Sequence, residues 1–186
     1  MTAKQLFVFC LAGLVATLTT AQVDIIRNCG VGSATDFGGN NPVGEEPAKA
    51  FDNDDQTKWL QDTPGTWILQ YDFGAPRYVS SYDIVSANDV PTRDPNSWTI
   101  EGSNDGSTWS QALDTVTGNA FAARRTTYSF AMDTAATYRY FRLNISSTNG
   151  SPDGMTQIME LIFKGFCNAG DAGGDPHFHT WSSRRQ

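Results

Sequence analysis

The chain has 186 residues, 39% of them hydrophobic and 18% charged, which fits one globular domain with appendages and excludes a disordered chain. Its formal net charge of −7 argues against a nucleic-acid partner and against a purely electrostatic grip on anionic lipid. The acids are spread along the sequence, so they form no acidic tail.

The first stretch, MTAKQLFVFCLAGLVATLTTA, has Lys4, then an apolar run from Leu6 to Leu18, then small residues ending at Ala21. This pattern reads as a secretory signal peptide over residues 1–21. An uncleaved membrane anchor is the alternative, but the run is short for a bilayer. The mature chain is therefore expected outside the cell. Cys10 leaves with the signal, and Cys29 and Cys167 remain at the two ends of the globular stretch. An even count in an oxidising compartment implies a bridge. It would close a loop of roughly 140 residues, worth about 4–5 kcal/mol in the chain-entropy picture, and bring the two ends together.

The next segment with a clear message is KAFDNDDQTKW, where Asp52, Asp54 and Asp55 stand between Phe51 and Trp59. A calcium-binding EF-hand is rejected, because Thr57 stands where its glycine should be and Thr63 where its glutamate should be. Several oxygens beside apolar residues still suit a hard cation, Ca2+ before Na+, whose shell counts backbone carbonyls as well as carboxylates. The alternative is a solvated turn in which Asp52 caps local N–H groups. Glu160, in the otherwise apolar run QIMELIF, adds a second carboxylate that would be costly to bury alone.

Short alternating runs follow. Trp67, Leu69, Tyr71 and Phe73 alternate with Gln70 and Asp72, which predicts a half-buried strand. Further strands are expected at Ser81–Ala87, Ser97–Gly102, Arg125–Phe130, Tyr138–Ile145 and Gln157–Phe163, with Asn104-Asp105-Gly106 as a turn. No window carries a helical period of useful length. The fold class is therefore all-β, an antiparallel β-sandwich or jelly roll. Trp59, Trp67, Trp98 and Trp109 each border a strand pattern and read as core.

Nothing in the sequence assembles a catalytic centre. The only histidines, His177 and His179, lie in the tail, so a Ser-His-Asp or Cys-His arrangement has no histidine within the fold. No phosphate loop or nucleophile elbow is present. Paired carboxylates for glycoside hydrolysis remain conceivable only because acids are numerous. A non-catalytic module is expected. Asn144 of Asn144-Ile-Ser146 is a candidate glycosylation site, whereas the Asn149 sequon is followed by Pro152.

Five pieces in order, PAKAFDNDDQTKW, PGTWILQYDFG, SYDIVSANDVPTRDPNSWTIEGSNDGSTW, YRYFRLNI and TQIMELIFKGFC, resemble the coagulation-factor type C, or discoidin, domain, and within it the family 32 carbohydrate-binding modules. The resemblance covers about Asn28 to Cys167, so residues 22–167 are taken as the domain. It implies a galactose-binding-domain-like jelly roll of about eight strands and a terminal disulfide matching Cys29 and Cys167. It further implies one structural Ca2+ held by the Lys49 carbonyl, the Asp52 carboxylate, the Asp54 carbonyl, the Thr57 hydroxyl and carbonyl, the Met159 carbonyl and the Glu160 carboxylate. Asn53 replaces the glycine usual in the family, and asparagine tolerates the left-handed backbone that the bend needs.

In similar modules the ligand meets loops at one end of the sandwich. Here Asn88, Asp89, Arg93 and Asp94 in SANDVPTRDPNS, with Asn149 and Asp153 in STNGSPDG, offer donors and acceptors suited to sugar hydroxyls. The alternative for Arg93 and Asp94 is a salt bridge that stiffens the loop. These loops are polar, unlike the hydrophobic tips of the lipid-binding branch. The expected partners are therefore glycans or glycoproteins of the cell surface or matrix, with a protein-binding adhesion module of a larger multidomain protein as the second reading. The tail, residues 168–186, contains GDPHFHTW, which resembles the opening of a von Willebrand factor type D domain cut short, and is expected to lack a fold.

Overall fold

The computed structural model describes residues 22–29, 32–37, 40–65 and 67–167. The expected signal peptide and the tail, with the histidine pair, lie outside the described residues. Nine strands are seen among the described residues: β1 Val23–Asp24, β2 Ser33–Asp36, β3 Trp59–Gln61, β4 Trp67–Val85, β5 Pro95–Ser103, β6 Asp114–Val116, β7 Thr127–Thr148, β8 Thr156–Ile158 and β9 Glu160–Phe166. One short helix, α1 Ile25–Asn28, is capped by Asp24, whose Oδ1 accepts from the N–H of Ile26 at 3.0 Å. The large sheet runs β1-β9-β4-β7-β5-β6 with β2 also on β4, and β3 and β8 form a separate two-stranded sheet. Every pairing is antiparallel. The protein is thus the all-β sandwich that the alternating runs predict.

Two differences from the sequence reading have a physical cause. The strands expected at Trp67–Phe73 and Ser81–Ala87 are one strand, β4, and those at Arg125–Phe130 and Tyr138–Ile145 are one strand, β7. The turn-like residues between them are bulges. The β4–β7 register breaks between Asp72 and Arg77 and again between Val79 and Ser81. At the first break Gly74 takes φ +71° and donates its N–H to Asp72 Oδ1 at 2.7 Å. Pro76 is tolerated there because the ladder asks nothing of its missing N–H. At the second, the Thr134 N–H turns away to the Leu113 carbonyl at 2.8 Å. The bends let the first half of β4 pair with β2 and the second half with β9, so one strand serves both sides of the core.

The strand expected at Gln157–Phe163 is instead two, divided at Met159. Its N–H donates to the Val85 carbonyl at 2.9 Å, which moves the chain from the small sheet to the large one. Thr156, Gln157, Ile158, Met159, Glu160 and Leu161 are all buried across this step.

The core holds Trp59, Leu69, Tyr82, Trp98, Phe141, Leu143 and Phe163. Two polar atoms are satisfied inside it: Trp98 Nε1 donates to the Tyr82 hydroxyl at 2.8 Å, and that hydroxyl donates to Asp114 Oδ2 at 2.6 Å. Trp109 is a correction. It stands half-buried outside the core, with the Arg142 guanidinium stacked 4.0 Å from the indole centroid.

At the opposite end from the loops that follow β4, Cys29 and Cys167 form a disulfide, with Cα atoms 5.1 Å apart. The Arg77 guanidinium donates to the carbonyls of both cysteines at 2.9 Å, so one cation ties both ends of the domain to β4.

Candidate functional site

The β4–β5 connection carries Asn88, Asp89, Arg93 and Asp94, and the β7–β8 connection carries Asn149 and Asp153. The structure gathers the two loops at one end. Arg93 directs Nε and Nη2 at a single oxygen, Asp153 Oδ2, at 3.0 and 2.6 Å. The Arg93 guanidinium holds the Asp153 carboxyl down to about 2, so that pair is ionic at any physiological pH. Asn149 donates its N–H to the Asp94 carbonyl at 3.0 Å and takes the Asn96 amide on its own Oδ1 at 3.3 Å.

Asp94 is a correction. It is fully buried and its carboxylate is clasped by the Arg124 guanidinium, so it cannot touch a ligand at the surface. The anticipated Arg93–Asp94 salt bridge does not form, because each residue has a different partner. Burial pushes the Asp94 carboxyl up while Arg124 pulls it down.

Three residues that frame this site carried no sequence signal. Lys58 is buried, and its ammonium donates to Asp89 Oδ1 at 2.7 Å and Gln157 Oε1 at 2.9 Å. Gln157 completes the clamp by donating Nε2 to the Asp89 carbonyl at 2.8 Å. Arg124 comes from the loop before β7. Lysine is ordinarily a surface residue, and nothing local in DQTKW marks this one for burial. The clamp supports Val90, which takes φ +30°, a strained value for a β-branched residue that persists only where its surroundings dictate it. Outward from this frame stand Asn88 and Asp89, both exposed, and the Arg93–Asp153 pair.

The acidic bend has its own geometry. Asn53 takes φ +58°, the left-handed turn expected of it. Asp52 Oδ1 accepts from the Asp54 N–H at 3.1 Å and from the Thr57 hydroxyl at 2.9 Å, while Lys49 Nζ stands 3.2 Å from Asp52 Oδ2. Asp52 therefore does cap its own loop, as the solvated-turn alternative has it. Glu160 reaches the same place from β9. Its carboxyl is pushed up to about 7, first by burial and then by the nearby charge of Asp52, against the pull of the Asn53 and Asp54 N–H groups.

Glu160 Oε1 is buried without a hydrogen-bond partner. A bare carboxylate oxygen beside a second carboxylate is what a bound cation would satisfy, so the donor set fits a hard ion. No group of three or more His, Cys, Asp or Glu side chains stands together among the described residues. The ion would therefore draw most of its shell from backbone carbonyls, those of Lys49, Asp54, Thr57 and Met159. A pocket of about 270 Å3 opens beside Glu160 between Arg27 and Arg125.

Asn144 is a third correction. It lies mid-strand in β7, paired with Ile68 of β4 on one side and Thr99 of β5 on the other, and its amide faces Glu101 Oε1 at 3.4 Å. A sequon needs a free, accessible amide, and this one is built into the sheet. Among the described residues there is no histidine to act as a general base.

The sandwich, the end-to-end disulfide and the clustered loops define a discoidin-type module. The F5/8 type C domain family model matches residues 32–161, and the chain belongs to that family. Over 128 residues it is 34% identical to a peptide-N(4)-(N-acetyl-beta-glucosaminyl)asparagine amidase of Arabidopsis thaliana, covering 64% of this chain and 18% of that protein. Among solved structures it is similar to the family 32 carbohydrate-binding module of NanJ from Clostridium perfringens, solved with galactose, at 17% identity and a TM-score of 0.59, over 77% of this chain and 99% of that one. It is also similar to chitosan-binding module 1 of a chitosanase/glucanase from Paenibacillus sp. IK-5, at 18% identity and a TM-score of 0.57, over 70% and 92%. These likenesses share the fold.

Proposed function

We propose that the protein is a secreted, non-catalytic carbohydrate-binding module that takes a glycan at the β4–β5 and β7–β8 loops. The observation that carries this reading is the rigid polar frame there. Asn88 and Asp89 are exposed, Arg93 and Asp153 are locked together, and Lys58, Gln157 and Arg124 hold the loop from beneath. Fixed donors and acceptors bind hydroxyl groups without first being ordered, which removes much of the entropic cost of a weak polar contact. The galactose-bound and chitosan-binding relatives support a sugar as the ligand. Asp94 acts as a buried strut for the loop.

The bend at Asp52 with Glu160 serves as a structural Ca2+ site. Bound there, the ion would neutralise the two carboxylates and tie β9 to the loop that leads into β3. The disulfide supports an extracellular location, since such bonds persist in oxidising compartments.

A glycan array probed with the wild type and with Arg93→Ala tests the sugar reading. Binding in the wild type that falls at least tenfold in the variant supports it. Silence of the wild type across the array overturns it in favour of a protein or matrix partner.

A further inference from the structure

The β5–β6 connection leaves the end of β5 opposite the β4–β5 loop and builds a second concavity. It has a volume of about 300 Å3 and is lined by Asn104, Asp105, Thr108, Trp109, Ser110 and Tyr138. It shares no lining residue with the loop site or with the acidic bend. Three features show that it is built rather than incidental.

The first is Trp109. The core tryptophans Trp59, Trp67 and Trp98 are at most 8% exposed, whereas Trp109 stands half-buried at the rim. Arg142 braces it by stacking on the indole and is itself held to Glu101 Oε2 by Nε at 2.7 Å. The ring is thus immobilised before any ligand arrives. An aromatic ring left partly in water and already ordered is a low-cost binding platform.

The second is Tyr138, whose ring lies directly over Gly102. Any Cβ at position 102 would overlap the ring, so a glycine in the middle of β5 is what lets the tyrosine form the pocket wall. The third is the turn between them. Asp105 Oδ1 takes the N–H groups of Ser107 at 2.8 Å and Thr108 at 2.7 Å and the Ser103 hydroxyl at 3.0 Å. Asn104 Oδ1 takes the Arg139 N–H at 3.2 Å, which fixes this exposed amide on the turn. A carboxylate oxygen and an amide donor are therefore held in fixed places beside two aromatic rings.

We infer that this concavity is a second saccharide-contact site, in which the indole of Trp109 carries the apolar face of a pyranose ring and Asn104, Asp105 and Tyr138 meet its hydroxyls. The chemistry also selects among sugars. Asp105 is exposed and ionised, its carboxyl pulled far down by the Thr108 and Ser107 N–H groups. Arg142 and Arg139 are each neutralised, by Glu101 and Asp72. The site therefore favours neutral or protonated amino sugars and rejects carboxylated or sulfated ones.

β5 has nine residues, so at roughly 3.3 Å per residue the two sites stand on the order of 30 Å apart. They would engage separate chains or distant parts of one polysaccharide, raising avidity without any new contact. The inference rests on the module being a sugar binder.

The test uses the full chain and follows the indole N–H resonances by NMR, with Trp109 assigned through Trp109→Phe. Tetramers of glucosamine and of N-acetylglucosamine are the probes, and a uronic-acid tetramer is the anionic control. The expected result is a saturable shift of the Trp109 resonance with the first two probes and none with the third. Affinity at this resonance should drop at least tenfold in Asn104→Ala, a change on an exposed turn that leaves the Arg142 stack intact, and stay unchanged in Arg93→Ala. An unmoved Trp109 resonance, with binding that Arg93→Ala alone abolishes, overturns the second site and leaves the first standing. Absence of any sugar binding overturns both.

Discussion

At the scale of single residues, the molecule places charge where burial makes it consequential. Asp94 is fully buried and depends on Arg124. Arg124→Ala strands that carboxylate, and a buried charge left unpaired costs about 3–5 kcal/mol. Urea unfolding of Arg124→Ala should therefore show a loss of this order, and Asp94→Asn in the same background should recover part of it. Glu160 gives a pH signature. Its ordinary value of 4.5 is raised to about 7 in the fold, so between those values the folded protein holds a proton that the unfolded chain has released. Stability then falls as pH rises through this window. In chelator, unfolding free energy should decline from about pH 4.5 to about pH 7. Saturating Ca2+ should remove the decline by binding the ionised form, and Glu160→Gln should flatten it without calcium. A metal-free wild type with no slope in this range would contradict the assignment.

At the scale of elements, what matters is how strands are bent and pinned. Gly165 of β9 pairs with Val23 and Val79, and a Cβ there would run into the Tyr78 carbonyl. Backbone cannot yield as a flexible side chain does, so Gly165→Ala should cost about 1–3 kcal/mol by overpacking, read as a lowered urea midpoint. Lys58 is the corresponding pin for the β4–β5 loop. Lys58→Met keeps the buried aliphatic stem and removes the ammonium that joins Asp89 to Gln157. Glycan affinity at the loop site should fall at least tenfold. A titration in which Lys58→Met binds as the wild type does would show that the clamp is not what orders the loop.

At the scale of the whole molecule, the Cys29–Cys167 bridge spans 138 positions of sequence. Cross-links that close long loops chiefly restrict the unfolded chain, by about 4–5 kcal/mol at this length. Replacing both cysteines by serine should lower the melting temperature by at least about 10 °C, followed by calorimetry at fixed calcium. Arg77 would still hold the two ends through its carbonyl contacts, so the variant should fold to the same structure.

Much of this architecture was legible in the sequence. Trp67, Leu69, Tyr71 and Phe73 alternate because a pleated strand turns every second side chain inward, and all four are buried. The cysteine count implied the bridge, and the discoidin resemblance implied that the acidic bend and Glu160 come together. The left-handed turn at Asn53 followed from the discoidin resemblance, which puts a glycine there, and asparagine tolerates that conformation. What local pattern could not reveal was decided by contacts across long stretches of chain. Gly74 and Pro76 look like a strand end, yet β4 continues through them because β7 and β9 supply partners on either side. Asp94 reads as a surface acid until Arg124, 30 residues on, covers it. Lys58 is pinned by Gln157, 99 residues away. Trp109 reads as core, yet it sits half-buried at the rim, where its partner is Arg142, 33 residues on. Periodicity and residue chemistry are local properties, so residue order alone was enough for the alternating faces, the all-β class and the pairing of the two cysteines, but not for where each strand begins and ends. Which charges are buried, and which ring remains in water, depends on partners that only the folded chain brings within reach.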